Sequence, residues 1–585
     1  MNEPAPEAVR SESTPQGALT PEALEELLGD PNDPANPYGF AAAVDRDEHD
    51  AFPTELCRAL VDAGFHLNYL PKEWGGGFES FDRSLTLVRA AARRDVNVMP
   101  GTMFSIIAAT CLQLHGREDQ RERVAAILRR GGAVAFALTE ADHGSELLAN
   151  DVELADGVLR GEKWLVGNGR CAEALYVVAR TGPRGPGAFS ALLLDEPQMS
   201  DSRLVRMPAP RIGGMRGIDL ARIGFDALPV PESALVGTAG EGLEVAVKAQ
   251  QAVRLMSMAG SLGIADSALR LTVEFAAGRR VGRTTLAEVP YARRELATAS
   301  AALLAADAVA LAAARGVHGF PEAFSVWGPV AKHVVAEASG DLVRRCGGIL
   351  ATRSVLRDGA PGAGVFQKLE RDTAVVRVID ASPLANLRSY AGQLPTLLRT
   401  PATADPDTLP GVLRLDASLP PYRPGCLDLV TRGADPLLIG LAQAAAMVTA
   451  RAEVAGLLVR LTDAVAVLPD EADAARRPGA DPNVLVDLAE RYAWLHSAAA
   501  CVHLWAANRD RALYGAEPGS AEWLGAAVGY LLARAEGVDP RRYAAALAPA
   551  FDVVAALCDH HLLCTAQPVR LAGTPHRRSS CPRPI

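Results

Sequence analysis

The strongest constraint on this chain is a change of periodicity in its first half. From residue 133 to about residue 238, short runs such as VAFALT, LYVVAR and SALLLD are cut by glycine and proline. Short apolar or β-branched runs bounded by such breakers read as strands. Few helical stretches lie among them, so the expected unit is an antiparallel β-domain. On both sides apolar residues recur every three to four positions instead. Leu56, Leu60 and Ala63, then Leu87 and Ala91, do so before it; Leu255, Met258, Leu262, Leu269 and Val273 do so after it. That spacing marks helices with one buried face. Any fold for this chain must seat a β-unit between two helical ones.

The expected fold class is therefore α+β, mainly α. It comprises a helical domain over residues 20–132, a middle β-domain over 133–238 and a helical bundle over 239–394. Prolines crowd residues 395–424, which reads as a linker. Beyond it, Asp-Pro recurs at Asp435-Pro436, Asp481-Pro482 and Asp539-Pro540, each before an apolar-periodic run. Aspartate caps free helical N–H groups, and proline at the first position loses nothing by lacking its own. With Ser520 before Glu522, these mark about four helices in an additional C-terminal domain over 425–570. Residues 1–19 and 571–585 read as flexible tails.

Composition excludes several classes. Among 585 residues, 49% are hydrophobic, which gives ample material for cores, and the net charge of −10 argues against a general nucleic-acid surface. Nine scattered cysteines fit reduced thiols in a cytoplasmic protein better than a disulfide framework. The acidic, proline-rich N-terminus has neither the basic start nor the apolar core of a secretory signal. Ala301 to Ala314 carries Asp307 and is shorter than a membrane span, so it reads as a packed helix. No G-x-G-x-x-G follows a strand, and a Rossmann unit is not indicated. Cys558-Asp559-His560-His561-Leu562-Leu563-Cys564 superficially suggests a metal site, but no second ligand cluster accompanies it and none is assigned. His496 and His503, seven apart on one helix face, read as core residues.

A series of local motifs over residues 40–395 then resembles the acyl-CoA dehydrogenase family. Leu70 to Gly77 (LPKEWGGG) is similar to its "P-x-x-x-G-G" turn, and His115-Gly116 with Gln120 follows. Ala137-Leu138-Thr139-Glu140 with Gly144-Ser145 resembles "TEP-x-x-GSD", and Gly161-Glu162-Lys163-Trp164 resembles "G-x-K-x-W/F". Arg254 to Gly263 is similar to the start of the long third-domain helix. Cys346-Gly347-Gly348 and Gln367 to Asp372 resemble the "FGG" and "RD" segments.

The resemblance implies FAD between the β-domain and the third domain, in a homodimer or homotetramer whose neighbouring subunit completes the site. Phe136, Leu138, Thr139, Gly144 and Ser145 would then lie along the flavin, with Trp164 flanking its ring and Val166 two residues on. Gly347 and Gly348 would admit the pyrophosphate of a neighbour's FAD, Arg279 and Arg280 would stand near it, and Ser382 would follow the base. The implied reaction is α,β-dehydrogenation of an acyl thioester, on CoA or an acyl-carrier protein. A base removes the α-proton while the β-hydride passes to flavin N5. The acceptor would be an electron-transfer flavoprotein or O₂.

Eight residues after Asp372, where the family usually has glutamate, stands Asp380. The family's alternative base position corresponds to Val253, so Asp380 is the candidate base, with Arg254 as the cation beside it. Aspartate withdraws the carboxylate by about 1.5 Å. Nitroalkane oxidases, which share this fold, also place an aspartate there. The "R-x-x-F-G" element appears as Arg279-Arg280-Val281-Gly282, without its aromatic. A same-fold flavin oxidase or monooxygenase, and a homologue without catalysis, remain as alternatives.

Overall fold

The computed structural model describes residues 19–573 except 145, 402–406, 432, 478 and 482. The expected tails at 1–18 and 574–585, and the roles expected of Ser145 and Pro482, lie outside the described residues.

Eight strands form the middle unit: β1 (Val134–Ala137), β2 (Glu153–Ala155), β3 (Val158–Gly167), β4 (Ala174–Arg180), β5 (Phe189–Leu194), β6 (Leu204–Pro208), β7 (Leu220–Pro229) and β8 (Leu235–Val236). They run in the order β6-β7-β3-β2-β4-β5-β8, with β1 beside β4. The sheet departs from the antiparallel expectation in two places, because β1 and β2 both pair parallel to β4. The central strands are covered on both faces. Val134, Leu138, Tyr176 and Val178 face the helical core, while Ala135, Ala137, Leu175 and Val177 face a separate core inside the β-domain. That double burial explains why β4 reads as one unbroken apolar run rather than an alternation.

Three long helices build the third domain: Gly242–Gly278, Pro290–Gly319 and Phe324–Leu350. The alanine-rich Pro290–Gly319 helix is apolar on every side, and a helix of that kind must be covered all round. The other two pack on it, and so do Asn483–Ala507, Glu522–Ala535 and Ala544–Asp559 from the C-terminal part. Leu24, Leu304 and Leu531 consequently belong to one hydrophobic core. The C-terminal helices complete the bundle of the third domain instead of forming a bundle apart. By length and composition alone, Pro290–Gly319 and Val98–His115 could cross a membrane, but their most apolar windows are 100% and 61% buried.

The Asp-Pro signals hold at Asp435 and Asp539, whose carboxylates accept from Leu437 N and Arg541 N. Ser520 is not a cap: the helix begins at Glu522 after Ala521, and the Ser520 carbonyl accepts from Trp505 Nε1. More helices form here than the four marked, among them Ala452–Ala466. The segment expected as a linker is docked. It contains the helix Thr408–Leu413, and the buried Arg315 guanidinium donates to the carbonyls of Val412, Arg414 and Ala417. The helix Ala544–Asp559 ends before His561, so Cys558 and Cys564 do not share its face. Among the described residues, no group of three His, Cys, Asp or Glu is placed to hold a metal ion. His496 and His503 are buried against Asp435 and the Leu437 carbonyl.

Candidate active site

The candidate base sits in a turn fixed at both ends. The helix Phe366–Val378 stops just before it, and Ile379 N closes the last turn onto the Val375 carbonyl. Lys332 Nζ reaches across from the Phe324–Leu350 helix to the Val376 carbonyl at 2.6 Å. Downstream, Ser382 Oγ caps the helix Pro383–Ala391 by accepting from Ala385 N at 3.2 Å, and Pro383 takes its first position. Asp380, half-buried, lies between these anchors with φ of 67°. Aspartate tolerates this left-handed conformation better than most residues. Ser382 thus has a capping role.

Arg254 stands on the Gly242–Gly278 helix. It is 7% exposed, and its buried Nε has no hydrogen-bond partner. Burial pushes its pKa down to about 10, against the pull of Asp380. Lys332 is 0% exposed. Burial pushes its pKa down to about 8; Asp380 opposes that shift and Arg254 adds to it. Arg254 and Lys332 thus both lie within electrostatic reach of Asp380. Sequence reading found the first two and missed Lys332, whose signal is a lone lysine inside the apolar run WGPVAKHVV. Val253 is buried and offers no carboxylate.

The "RD" pair anchors the helix that leads to the base. Asp372, buried, accepts from Lys368 Nζ at 2.6 Å and from Met215 N at 2.5 Å, while Arg371 pairs with Asp47 and donates to the Gly213 carbonyl. A loop of the β-domain and the N-terminal domain are thereby tied to the same helix. At the next level of the long helix, Gln251 Nε2 donates to the Asp428 carbonyl at 2.7 Å. Thr431 N donates to Gln393 Oε1 at 2.9 Å. The strap 425–431 from the C-terminal part therefore crosses the bundle within one turn of Arg254.

On the β-domain side, Trp164 N donates to the Thr139 carbonyl at 2.8 Å, and both side chains are half-buried. A salt bridge of 2.8 Å between Lys163 Nζ and Glu140 holds this ledge. Glu140 also accepts from Asp151 N and Val152 N, and Lys163 donates to the Leu138 carbonyl. The motif residues beside Thr139 and Trp164 thus form a clamp, a role the sequence did not disclose. Phe136 stacks on Tyr176 with ring centroids 5.8 Å apart, on the face toward the helices. Gly144 has φ of 46°, and a Cβ there would meet nothing within 4 Å. Val166 does not accompany Trp164: β3 bulges between Lys163 and Val166, Leu165 takes φ of 52°, and Val166 turns into the β-domain core.

Arg279, Arg280, Gly347 and Gly348 lie far from this cluster. At 1.5 Å per residue, Gly347 is about 22 Å along its helix from Lys332. Arg279 closes the C-terminal end of the Gly242–Gly278 helix, and Arg280 begins an exposed two-stranded ribbon with Thr284 and Thr285. Gly347 and Gly348 belong to the last turn of their helix, and a Cβ on Gly348 would meet open space.

Known proteins match the same three units. The acyl-CoA dehydrogenase N-terminal domain matches residues 38–131, the middle domain 135–228 and the C-terminal domain 240–380. A probable acyl-CoA dehydrogenase of Mycobacterium tuberculosis is 27% identical over 244 residues, 41% of this chain and 62% of the relative. Acryloyl-CoA reductase (NADH) of Anaerotignum propionicum is 28% identical over 245 residues, 40% of this chain and 60% of that protein. The matches therefore span about three-fifths of those relatives. Among solved structures, butyryl-CoA dehydrogenase from Megasphaera elsdenii superposes with a TM-score of 0.58 at 22% identity, covering 66% of this chain and 100% of that one. An acyl-CoA dehydrogenase complexed with FAD from Bacillus anthracis reaches 0.68 at 17% identity and covers 92% of this chain and 94% of that one, so its fold extends through the C-terminal helices as well. With the three domain matches covering more than half of its length in this order, the chain belongs to the acyl-CoA dehydrogenase family.

Proposed function

We propose that this chain is an FAD-dependent α,β-dehydrogenase of an acyl thioester, with Asp380 as the base. The observation that carries this reading is the turn that holds Asp380, fixed by the Val376 and Ser382 anchors, within electrostatic reach of Arg254 and Lys332. A general base works only from a fixed place within reach of the proton it takes, and the turn supplies that place. The ledge of Phe136, Thr139 and Trp164, with an open position at Gly144, offers a seat for a planar ring. Phe136, Thr139, Gly144 and Trp164 would hold the ring side of FAD, and Gly347, Gly348, Arg279 and Arg280 a neighbouring subunit's phosphates. FAD, when bound, supplies the acceptor for the β-hydride.

The chain's own residues do the rest. Asp380 takes the α-proton. The Glu140–Lys163 clamp sets the ledge that would hold the ring. Misplacement of about 1 Å costs on the order of a hundredfold in rate, so the anchors at Val376 and Ser382 matter as much as the carboxylate.

The test is flavin reduction by a panel of acyl-CoA and acyl-carrier-protein thioesters, with wild type, Asp380→Asn and Asp380→Glu. Carrier-bound substrates belong in the panel because a prolyl acyl carrier protein oxidase shares the fold, with a TM-score of 0.55 at 17% identity. Asp380→Asn is expected to slow reduction by at least a hundredfold. An undiminished rate would remove Asp380 from the mechanism. Fast reoxidation by O₂ with ligand bound would assign an oxidase instead.

A further inference from the structure

We propose that Cys558 and Cys564 are a redox-sensitive dithiol: a peroxide closes them to a disulfide, which locks the C-terminal turn at residues 560–571 onto the helical core. The inference does not depend on the reading of Asp380 as the base.

Cys558 lies in the last turn of the helix Ala544–Asp559. Beyond it the chain doubles back: His561 takes φ of 53°, and Leu562 N donates to the Leu557 carbonyl at 2.8 Å. Leu563 N then donates to the Val569 carbonyl and Leu571 N to the His561 carbonyl, each at 2.8 Å, closing a short hairpin. This reversal returns Cys564 to the end of the helix, where the two free thiols share a hydrogen bond. Arg270, from the Gly242–Gly278 helix, donates to the Leu562 carbonyl at 2.6 Å and to Cys564 Sγ at 3.8 Å. The Cys564 backbone is held on both sides, its N–H by Asp266 at 3.1 Å and its carbonyl by Arg89 at 2.7 Å. Two sulfurs on fixed backbones and already in contact need only small side-chain rotations to reach the ~2.05 Å of a disulfide.

The surroundings also divide the roles. A thiolate is the nucleophile, and a neighbouring guanidinium favours it. The hydrogen bond from Cys564, joined by the field of Arg270, holds Cys558 below the ordinary thiol pKa against the effect of burial. Cys558 is also 7% exposed against 1% for Cys564, so a small peroxide meets it first. Cys558 sulfur attacks the O–O bond; an S–O bond forms, the O–O bond breaks, and the departing oxygen takes a proton to leave as water or an alcohol. Cys564 then gives up its proton and its sulfur displaces hydroxide from the Cys558 sulfenic acid, releasing water. Two thiols have lost two electrons, and the peroxide has been reduced by two. The bond ties the helix end to a turn that already reaches Asp307 through Ala566 N and Glu25 through Ala572 N.

The experiment treats the folded full chain with hydrogen peroxide, alkylates it on denaturation and maps the thiols by mass spectrometry. Amide hydrogen exchange is followed in the untreated and treated protein. The expected product has two fewer alkylatable thiols and a peptide carrying Cys558 and Cys564 that is lighter by two hydrogens, both reversed by dithiothreitol. Exchange at the amides of Leu562 to Leu571 should slow by on the order of tenfold in the treated protein. Cys564→Ser should stop the reaction at a sulfenic acid on Cys558, trapped by a cyclic diketone. Should that variant fail to fold, the wild-type map decides alone. Cys558 and Cys564 both left alkylatable, while the exposed Cys171 and Cys426 are oxidised, would overturn the proposal. So would pairing of either with another cysteine, or a disulfide that forms only after unfolding. A disulfide that left exchange in the turn unchanged would overturn the lock.

Discussion

Lys332 also makes the stability of the protein depend on pH in a definite direction. Its folded pKa of about 8 lies below the value of 10.5 that it has when exposed. A lysine shifted down binds its proton less well in the native state, so the buried ammonium lowers stability at pH below about 8. As pH rises from about 8 to about 10.5, that cost is relieved, by up to about 3 kcal/mol. Denaturant unfolding of wild type and Lys332→Met, at pH 7 and near pH 10, is expected to show wild type gaining on the variant as pH rises. A constant difference between the two would mean that native Lys332 holds its proton as tightly as an exposed lysine does. The Glu140–Lys163 clamp gives the complementary case, since both partners are buried and hydrogen-bonded. Removing one partner of such a pair strands the other, so Glu140→Ala should cost about 3–5 kcal/mol. Trp164 fluorescence, which lies on the same ledge, reports whether the loss is local.

At the scale of elements, what the sequence disclosed and what it withheld divide along the range of the interactions. The long helices were legible because their apolar spacing is local, and Asp435 and Asp539 were legible as caps because a cap bonds within three residues. The position of Asp380 was legible through its fixed distance from Asp372. The bulge that turns Val166 inward was not, since β3 reads the same with or without it. Lys332 was not legible as a site residue, because its link to Val376 spans 44 positions in the chain. The docking of residues 395–424 was equally hidden, since a proline-rich stretch reads as a linker whether or not it is docked. Gln393 is the tie that can be tested. Its Oε1 accepts from Thr431 N and from Ser325 Oγ, and the strap crosses at Gln251 just beyond. Gln393→Ala should cost about 1–2 kcal/mol. Hydrogen exchange should also quicken at the amides of Leu427 to Thr431, well beyond its effect elsewhere. Exchange unchanged in that strap would show that the docking does not depend on Gln393.

The whole molecule is held as one unit by charge as well as by apolar contact. Asp266 and Asp307 are both 0% exposed, on neighbouring helices of the third domain. Arg89 and Arg93 reach them from the N-terminal domain, and Arg93 and Arg94 both pair with Glu25. From the C-terminal part, Tyr514 donates its hydroxyl to Asp307 at 2.8 Å, and Ala566 N donates to it at 2.9 Å. Cys564 N donates to Asp266 at 3.1 Å, while its carbonyl accepts from Arg89 at 2.7 Å. Three regions far apart in sequence therefore share two aspartates in a place where water cannot substitute for a lost partner. Breaking such a network by removing one member costs about 3–5 kcal/mol, because the groups left behind stay buried. Asp307→Ala takes a partner from Arg89, the Tyr514 hydroxyl and the Ala566 amide at once, and should fall within that range. Because the same hydrophobic core runs through all the helical parts, the loss should appear as one transition moved to lower denaturant, in far-UV circular dichroism and tryptophan fluorescence alike. An early transition confined to the C-terminal tryptophans Trp494, Trp505 and Trp523 would show instead that the helices after residue 425 unfold on their own. It would return them to the separate domain that their sequence suggests.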